Sequence, residues 1–227
     1  GESAPVQRVV GSVRRPSPGV ETKAPGTSGS WQKAPTGGGA KSASPQAPAP
    51  RRLVPGEARQ AAVLVPLYVD AGMLWTLLTK RTDSLPHHRG QVAFPGGGKE
   101  MGEDSWGAAL READEEIGLP PKRVLRLGEL DEVATPSGFR IVPCVGAIPF
   151  PFELKPNPGE IDETFAAPLG ELANPKLIED REVLINGQRR TLRIYHVGRF
   201  LIWGVTARIL QNLLERVGIS SSYELEP

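Results

Sequence analysis

Between Gly96 and Leu119 the chain reads GGGKEMGEDSWGAALREADEEIGL, which places seven carboxylates in one loop and one helical segment. At 100° per residue Glu112, Glu115 and Glu116 stand at i, i+3 and i+4 and share one face, while Trp106, Leu110, Ala113 and Ile117 gather on the other. A charge run is most often a solvated helix face. Like charges at this spacing, however, repel and destabilise a free helix, so a helix pinned to a core on one side and crowded with carboxylates on the other is better explained by a cation bound there. Carboxylate oxygens suit Mg²⁺ or Mn²⁺. With three histidines and one cysteine in 227 residues, zinc does not fit.

The segments around this helix must position it. Asp104 or Ser105 can cap its start, and Gly118 and Pro120 stop it. Upstream, AAVLVPLYV from Ala61, the turn DAG and MLWTLLTKR read as a β-hairpin, and SLPHHRGQVAFPGGGKEMGED reads as loop with QVAF as a short strand. Downstream, VLRLGELDEVAT and GFRIVPCVGAIPF read as two strands joined by PSG, and EIDETFAAPLGEL mixes acids and apolar residues at helical spacing. REVLINGQRRTLRIYHV reads as a hairpin turning at Asn186-Gly187. The last element, VTARILQNLLERV, is an amphipathic helix with Ile209, Leu210, Leu213, Leu214 and Val217 as its stripe. Without regular βαβ alternation, the expectation is a mixed sheet between helices.

Gly97, Glu103 and the run READEEIGL from Arg111 to Leu119 resemble the signature of the Nudix hydrolases, G-x5-E-x7-R-E-U-x-E-E-x-G-U, where U is a bulky apolar residue. Seven fixed positions match in register, and at about 7% per residue type a chance match has a probability of about 10⁻⁸ per starting position. Ala113 departs from the pattern by being small at the first U, which bears on packing. The resemblance implies a Nudix fold, an α/β/α sandwich with a mixed β-sheet and a loop-helix-loop metal-binding motif, and hydrolysis of a diphosphate linked to another moiety. It implies that Glu112, Glu115 and Glu116 bind divalent metal with the backbone carbonyl of Gly97, and that Arg111 and Glu103 orient those carboxylates. Glu115 is the expected base toward the attacking water, with Glu160 and Glu163 as alternatives.

Leu77 to Gly97, LLTKRTDSLPHHRGQVAFPGG, resembles the additional motif of the coenzyme A pyrophosphatases, L-L-T-x-R-[SA]-x3-R-x3-G-x3-F-P-G-G. Thr82 stands for Ser or Ala, and Pro86 stands for the motif's second Arg. TPSGFRIVPCVG, NPGEIDETFAAPLGEL and IWGVTARIL also look like this branch, so the resemblance spans about Arg59 to Arg216. It implies cleavage of CoA, or of an acylated or oxidised form, to 3′,5′-ADP and 4′-phosphopantetheine or its derivative. A substrate with a diphosphate and a 3′-phosphate needs cations, for which Arg81, His88 and Arg89 stand in the loop before the helix, beside Lys80 and His87. Each could equally be solvated. Phe94 and Trp203 are ring candidates for adenine, although an aromatic among apolar neighbours is more often core. Rival readings are a pyrophosphatase for ADP-ribose, a dinucleotide or a nucleotide sugar, kept open by Pro86, and a non-catalytic Nudix-like binding module, disfavoured because every box carboxylate is present.

Composition divides the chain. Thirty of the first fifty residues are Gly, Pro, Ser or Ala, with Trp31 as the one aromatic, so residues 1–57 are expected to be a disordered tail and 58–227 the Nudix domain. Up to Glu57 eight Lys or Arg face three acids, which leaves the remainder of the +1 chain at −4. Gly and Pro spread the tail's charge, so it reads as a solvated linker, and no nucleic-acid partner is expected. No apolar run reaches the length of a membrane span, and the single Cys144 lies in a strand-like stretch and precludes an intrachain disulfide. The reading is a soluble cytoplasmic protein whose partner is a small-molecule diphosphate. Oligomeric state is not legible from the sequence.

Overall fold

In the computed structural model, which describes residues 13–14, 58–82, 90–185 and 188–219, a two-residue strand β1 (Val13–Arg14) precedes the long hairpin of β2 (Arg59–Asp70) and β3 (Met73–Arg81). The hairpin turns through Ala71 at φ 50° and Gly72 at φ 76°, the paired left-handed residues of a two-residue turn that matches strand twist. The short strand expected in QVAF is β4 (Val92–Ala93). A second one, β5 (Gly96–Gly98), forms where the glycine run reads as loop. It pairs with Ala61–Val63 of β2, and a Cβ on Gly96 would lie 2.4 Å from the carbonyl oxygen of Ala62, so the side-chain-free backbone permits the approach.

The acidic helix is α1 (Ser105–Ile117). Of the two possible caps Asp104 is used, accepting the Gly107 N–H at 2.6 Å, and Gly118 at φ 67° ends the helix. VLRLGELDEVAT forms two strands, β6 (Leu125–Glu129) and β7 (Val133–Ala134), followed through the PSG turn by β8 (Phe139–Ala147). The stretch that mixes acids and apolar residues at helical spacing is instead the strand β9 (Ile161–Pro168) followed by the single turn α2 (Leu169–Leu172). Its period misleads because both faces of β9 are covered, with Phe165 in one apolar cluster and Ala166 in the other. The second hairpin is β10 (Ile178–Ile185) and β11 (Gln188–Val197), with Ile185 opposite Gln188; the turn residues Asn186 and Gly187 lie outside the described residues. β12 (Phe200–Ile202) completes this smaller sheet, and α3 (Gly204–Arg216) closes the fold.

The main sheet runs β1-β9-β3-β2-β8-β6, with β4 on β3, β5 on β2 and β7 on β8. β1–β9 and β2–β8 are parallel and the other pairs antiparallel, so the sheet is mixed. Alternation along β2 sends Ala62, Leu64 and Tyr68 to the α1 face and Val65 and Leu67 to the face shared by α3 and the smaller sheet. This is the expected α/β/α sandwich. Ala108, Ala109 and Ala113 are fully buried, so the small residue at the first U position lets α1 lie close on the sheet. Phe165 stacks on Phe200 at 3.9 Å between centroids and locks the smaller sheet down. Cys144 is buried beneath α1, and burial pushes its thiol up to about 12. β1 falls in the segment read as a tail, whose other residues up to Glu57 are outside the described ones. No helix among the described residues is long and apolar enough to cross a membrane.

Candidate active site

Three segments meet at the carboxylate face of α1: the glycine strand β5, the end of β3 and the loop entering β9. Arg111 organises the first turns. Its Nε and Nη2 donate to the two oxygens of Glu103 at 3.0 and 3.1 Å, Nη2 also reaches the carbonyl of Gly98 at 3.1 Å, and Nη1 donates to Glu112 at 2.9 Å and Glu115 at 3.3 Å. Glu103 is fixed in turn by the Glu100 N–H at 2.9 Å. The Arg111 hydrogen bond, then that of Glu100, holds Glu103 below the usual carboxylate range, and the bond to Glu103 raises Arg111. The charged bracket ties the loop after β5 to the helix.

Glu116 is the most enclosed of the carboxylates, 2% exposed. Arg81 at the end of β3 donates to its Oε1 at 3.0 Å and the Gly96 N–H to its Oε2 at 3.1 Å. Burial outweighs both and pushes Glu116 up to about 7. Burial likewise raises Glu112 against the Arg111 hydrogen bond, and Glu160 adds negative charge near both. Glu160 is held by Asn157, whose Nδ2 donates to it at 3.3 Å and whose N–H donates to the Glu116 carbonyl at 2.8 Å. Glu115, with a side chain 59% exposed, has among the described residues only the long Arg111 contact and faces solvent.

The donor set fits a hard divalent cation. It is all oxygen, and the Glu112 carboxylate lies so close to the backbone of Gly97 that a Cβ there would stand 2.4 Å from Oε1. Gly97 therefore leaves room for the Glu112 carboxylate beside its own peptide. Among the described residues no three acids, histidines or cysteines converge on one point, since Arg111 bridges Glu112 and Glu115 while Arg81 holds Glu116.

The remaining expected residues divide. Arg81 reaches the site, but its partner is Glu116, 35 positions away, a pairing with no local signal in the sequence. His88 and Arg89, with His87, lie outside the described residues. Phe94 is corrected: at 3% exposure it belongs to the cluster under α3 and fills core rather than offering a ring to a base. Trp203 is exposed at the start of α3, whose Thr206 hydroxyl donates to the Val92 carbonyl at 2.9 Å. Lys80 pairs with Asp162 at 2.5 Å, and Glu163 pairs with Arg199, a contact that only the folded smaller sheet creates.

Comparison with known proteins places the chain in a family. The family model described as NUDIX domain matches residues 58–186. A protein of Photorhabdus laumondii named uncharacterized Nudix hydrolase NudL is 36% identical over 175 residues, 77% of this chain and 93% of that one. Its namesake from Citrobacter koseri is 35% identical over 162 residues, 71% of this chain and 84% of that one. Among solved structures, a MutT/nudix family protein from Enterococcus faecalis superposes with a TM-score of 0.50 at 18% identity, over 74% of this chain and 65% of that one, a likeness of fold. The loop-helix-loop bracketed by Arg111, the family match and the breadth of the sequence identity agree: this chain belongs to the Nudix hydrolases.

Proposed function

We propose that this Nudix hydrolase cleaves the diphosphate of coenzyme A or a CoA derivative, with Mg²⁺ or Mn²⁺, giving 3′,5′-ADP and 4′-phosphopantetheine or its acyl form. The observation that carries the reading is the contact of Arg81 with Glu116 at 3.0 Å: the segment resembling the CoA pyrophosphatase motif delivers its arginine to the carboxylate face of α1. That contact supports reading the motif's arginine as a residue of the site.

A divalent cation held by Glu112, Glu115, Glu116 and the Gly97 carbonyl would neutralise the diphosphate and lower the pKa of a water. Arg111 keeps Glu112 and Glu115 within reach of one another and, through Glu103 and the Gly98 carbonyl, fixes the loop that carries Gly97. Arg81 supplies the countercharge that keeps Glu116 in place at the sheet edge. Hydrolysis adds water at one phosphorus as the bridging P–O bond breaks, and the proton of that water needs an acceptor. Glu115, exposed and weakly tethered, fits this role best. Glu160 stands near as the alternative. The lone buried Cys144 is consistent with work in a reducing compartment such as the cytoplasm.

A second reading, hydrolysis of ADP-ribose, a dinucleotide or a nucleotide sugar, is favoured by one observation: Pro86 stands where the motif has arginine. Mass spectrometry of products from CoA, dephospho-CoA, ADP-ribose and dinucleotides separates the two. CoA is expected to be cleaved with the highest kcat/KM, and 3′,5′-ADP to appear only with Mg²⁺ or Mn²⁺. Preference for ADP-ribose or a dinucleotide would replace the CoA reading, and no cleavage of any diphosphate would remove both.

A further inference from the structure

Opposite β1, the main sheet ends at β6, all five residues of which are exposed. Leu125 is 67% and Leu127 55% exposed. Leu127 borders an apolar groove of about 590 Å³ formed with Leu67, Leu74, Phe150 and Val217. A sheet edge flanked by exposed leucines is a template for another strand.

We propose that this edge is the interface of a homodimer, in which β6 pairs antiparallel with β6 of a second copy and sets Arg126 opposite Glu129. The side-chain directions require a β-bulge, and one is present. Leu125 and Arg126 lie opposite Ala147 and Gly146, whereas Gly128 and Glu129 lie opposite Val145 and Cys144, so β6 absorbs one extra residue at Leu127. Strict alternation would put Arg126 and Glu129 on opposite faces of the sheet. The bulge puts both on the α1 face, where Arg126 lies over the Trp106 ring at 5.1 Å and Cys144 belongs to the core under α1.

Residues opposed in an antiparallel pair share a face, so each Arg126 meets Glu129 of the other copy, twice about one two-fold axis. The same register works on the α3 face. It sets Leu125 opposite Leu130, which packs against the α3-side core, and Leu127 opposite Gly128, where an added Cβ would meet no atom within 4 Å. A parallel, in-register pair would instead set Arg126 on Arg126 and Glu129 on Glu129 and repel. The charges thus select one partner, a second copy of this chain, in one orientation.

Sedimentation equilibrium of the full chain tests the proposal. The parent is expected at twice the 24.4 kDa of one chain. Arg126→Glu and Glu129→Arg each bring like charges together twice, and either is expected to raise the dissociation constant about tenfold or more. The double variant R126E/E129R restores opposite charges and is expected to dimerise as the parent does. Leu127→Arg, on an exposed side chain, is expected to give monomers with an unchanged circular dichroism spectrum. A full chain that stays monomeric at about 100 μM overturns the proposal. So does a double variant that fails to recover the dimer while remaining folded, or single variants that dimerise undiminished. If the full chain is monomeric and dimers appear only after removal of residues 1–50, the tail occupies the edge and the proposal is equally overturned.

Discussion

Replacing Gly97 by alanine moves one carboxylate without altering a charge. The new Cβ would lie 2.4 Å from Oε1, 2.5 Å from Cδ and 2.8 Å from Oε2 of Glu112, where ordinary contact begins near 3.4 Å. Glu112 must therefore retreat by about 1 Å, and misplacement of a group in a site by that much costs about 10²-fold in rate. The fold should notice little. The displaced atoms end a flexible side chain, and alanine removes about 0.4 to 1 kcal/mol of unfolded-state freedom, so the net change in stability should stay within about 1 kcal/mol. Gly96 is the control, one residue away. A Cβ there meets the Ala62 carbonyl oxygen at 2.4 Å and the Val63 Cα at 2.6 Å, which are backbone atoms of β2 that cannot step aside. Gly96→Ala should cost about 1 to 3 kcal/mol or more in stability. Urea unfolding followed by tryptophan fluorescence, beside Mg²⁺-dependent product release, reads both quantities. A Gly97→Ala protein that turns over at the parent rate would refute the placement of Glu112 in the reacting site. One as destabilised as Gly96→Ala would refute the distinction between side-chain and backbone neighbours.

Three further outcomes are expected. Glu115→Gln should leave the unfolding transition in place and lower turnover by about two orders of magnitude or more, since the carboxylate loses its charge but not its shape; near-parental turnover with metal bound would exclude it as base or ligand. Glu116, its pKa pushed up to about 7 by burial, keeps a proton in the native state that the unfolded chain releases nearer the ordinary glutamate value of 4.5. The metal-free protein should therefore lose stability as pH rises between those values and level off above, while Mg²⁺ affinity measured by calorimetry should climb through pH 7 as that proton becomes easier to displace. Arg81→Ala, by removing the countercharge, should shift the climb to higher pH; an unmoved profile would exclude the pairing as its cause. Phe165→Ala should cost about 3 to 5 kcal/mol in urea unfolding, because the ring is fully buried and stacked on Phe200, and a loss under 1 kcal/mol would contradict the packing of the smaller sheet.

The acidic face of α1, its caps and its apolar back were legible in the sequence because they depend on neighbours within a turn or two: Glu112, Glu115 and Glu116 share a face whatever surrounds the helix, and Gly118 ends it by its own left-handed preference. The first hairpin and the amphipathic α3 were legible for the same reason. Periodicity failed at β9, where both sides of the strand are covered and alternation disappears, and at β5, where glycines of no strand preference are recruited by the edge of β2. Phe94, a ring candidate for adenine whose apolar neighbours favoured core, is core in the fold. The Arg81–Glu116 contact, the raised pKa of Glu116 and the common face of Arg126 and Glu129 belong to the tertiary structure alone. Each depends on how two strands, or a strand and a helix, are set side by side: burial, register and a single bulged residue decide these things, and none of them is a property of a segment taken by itself.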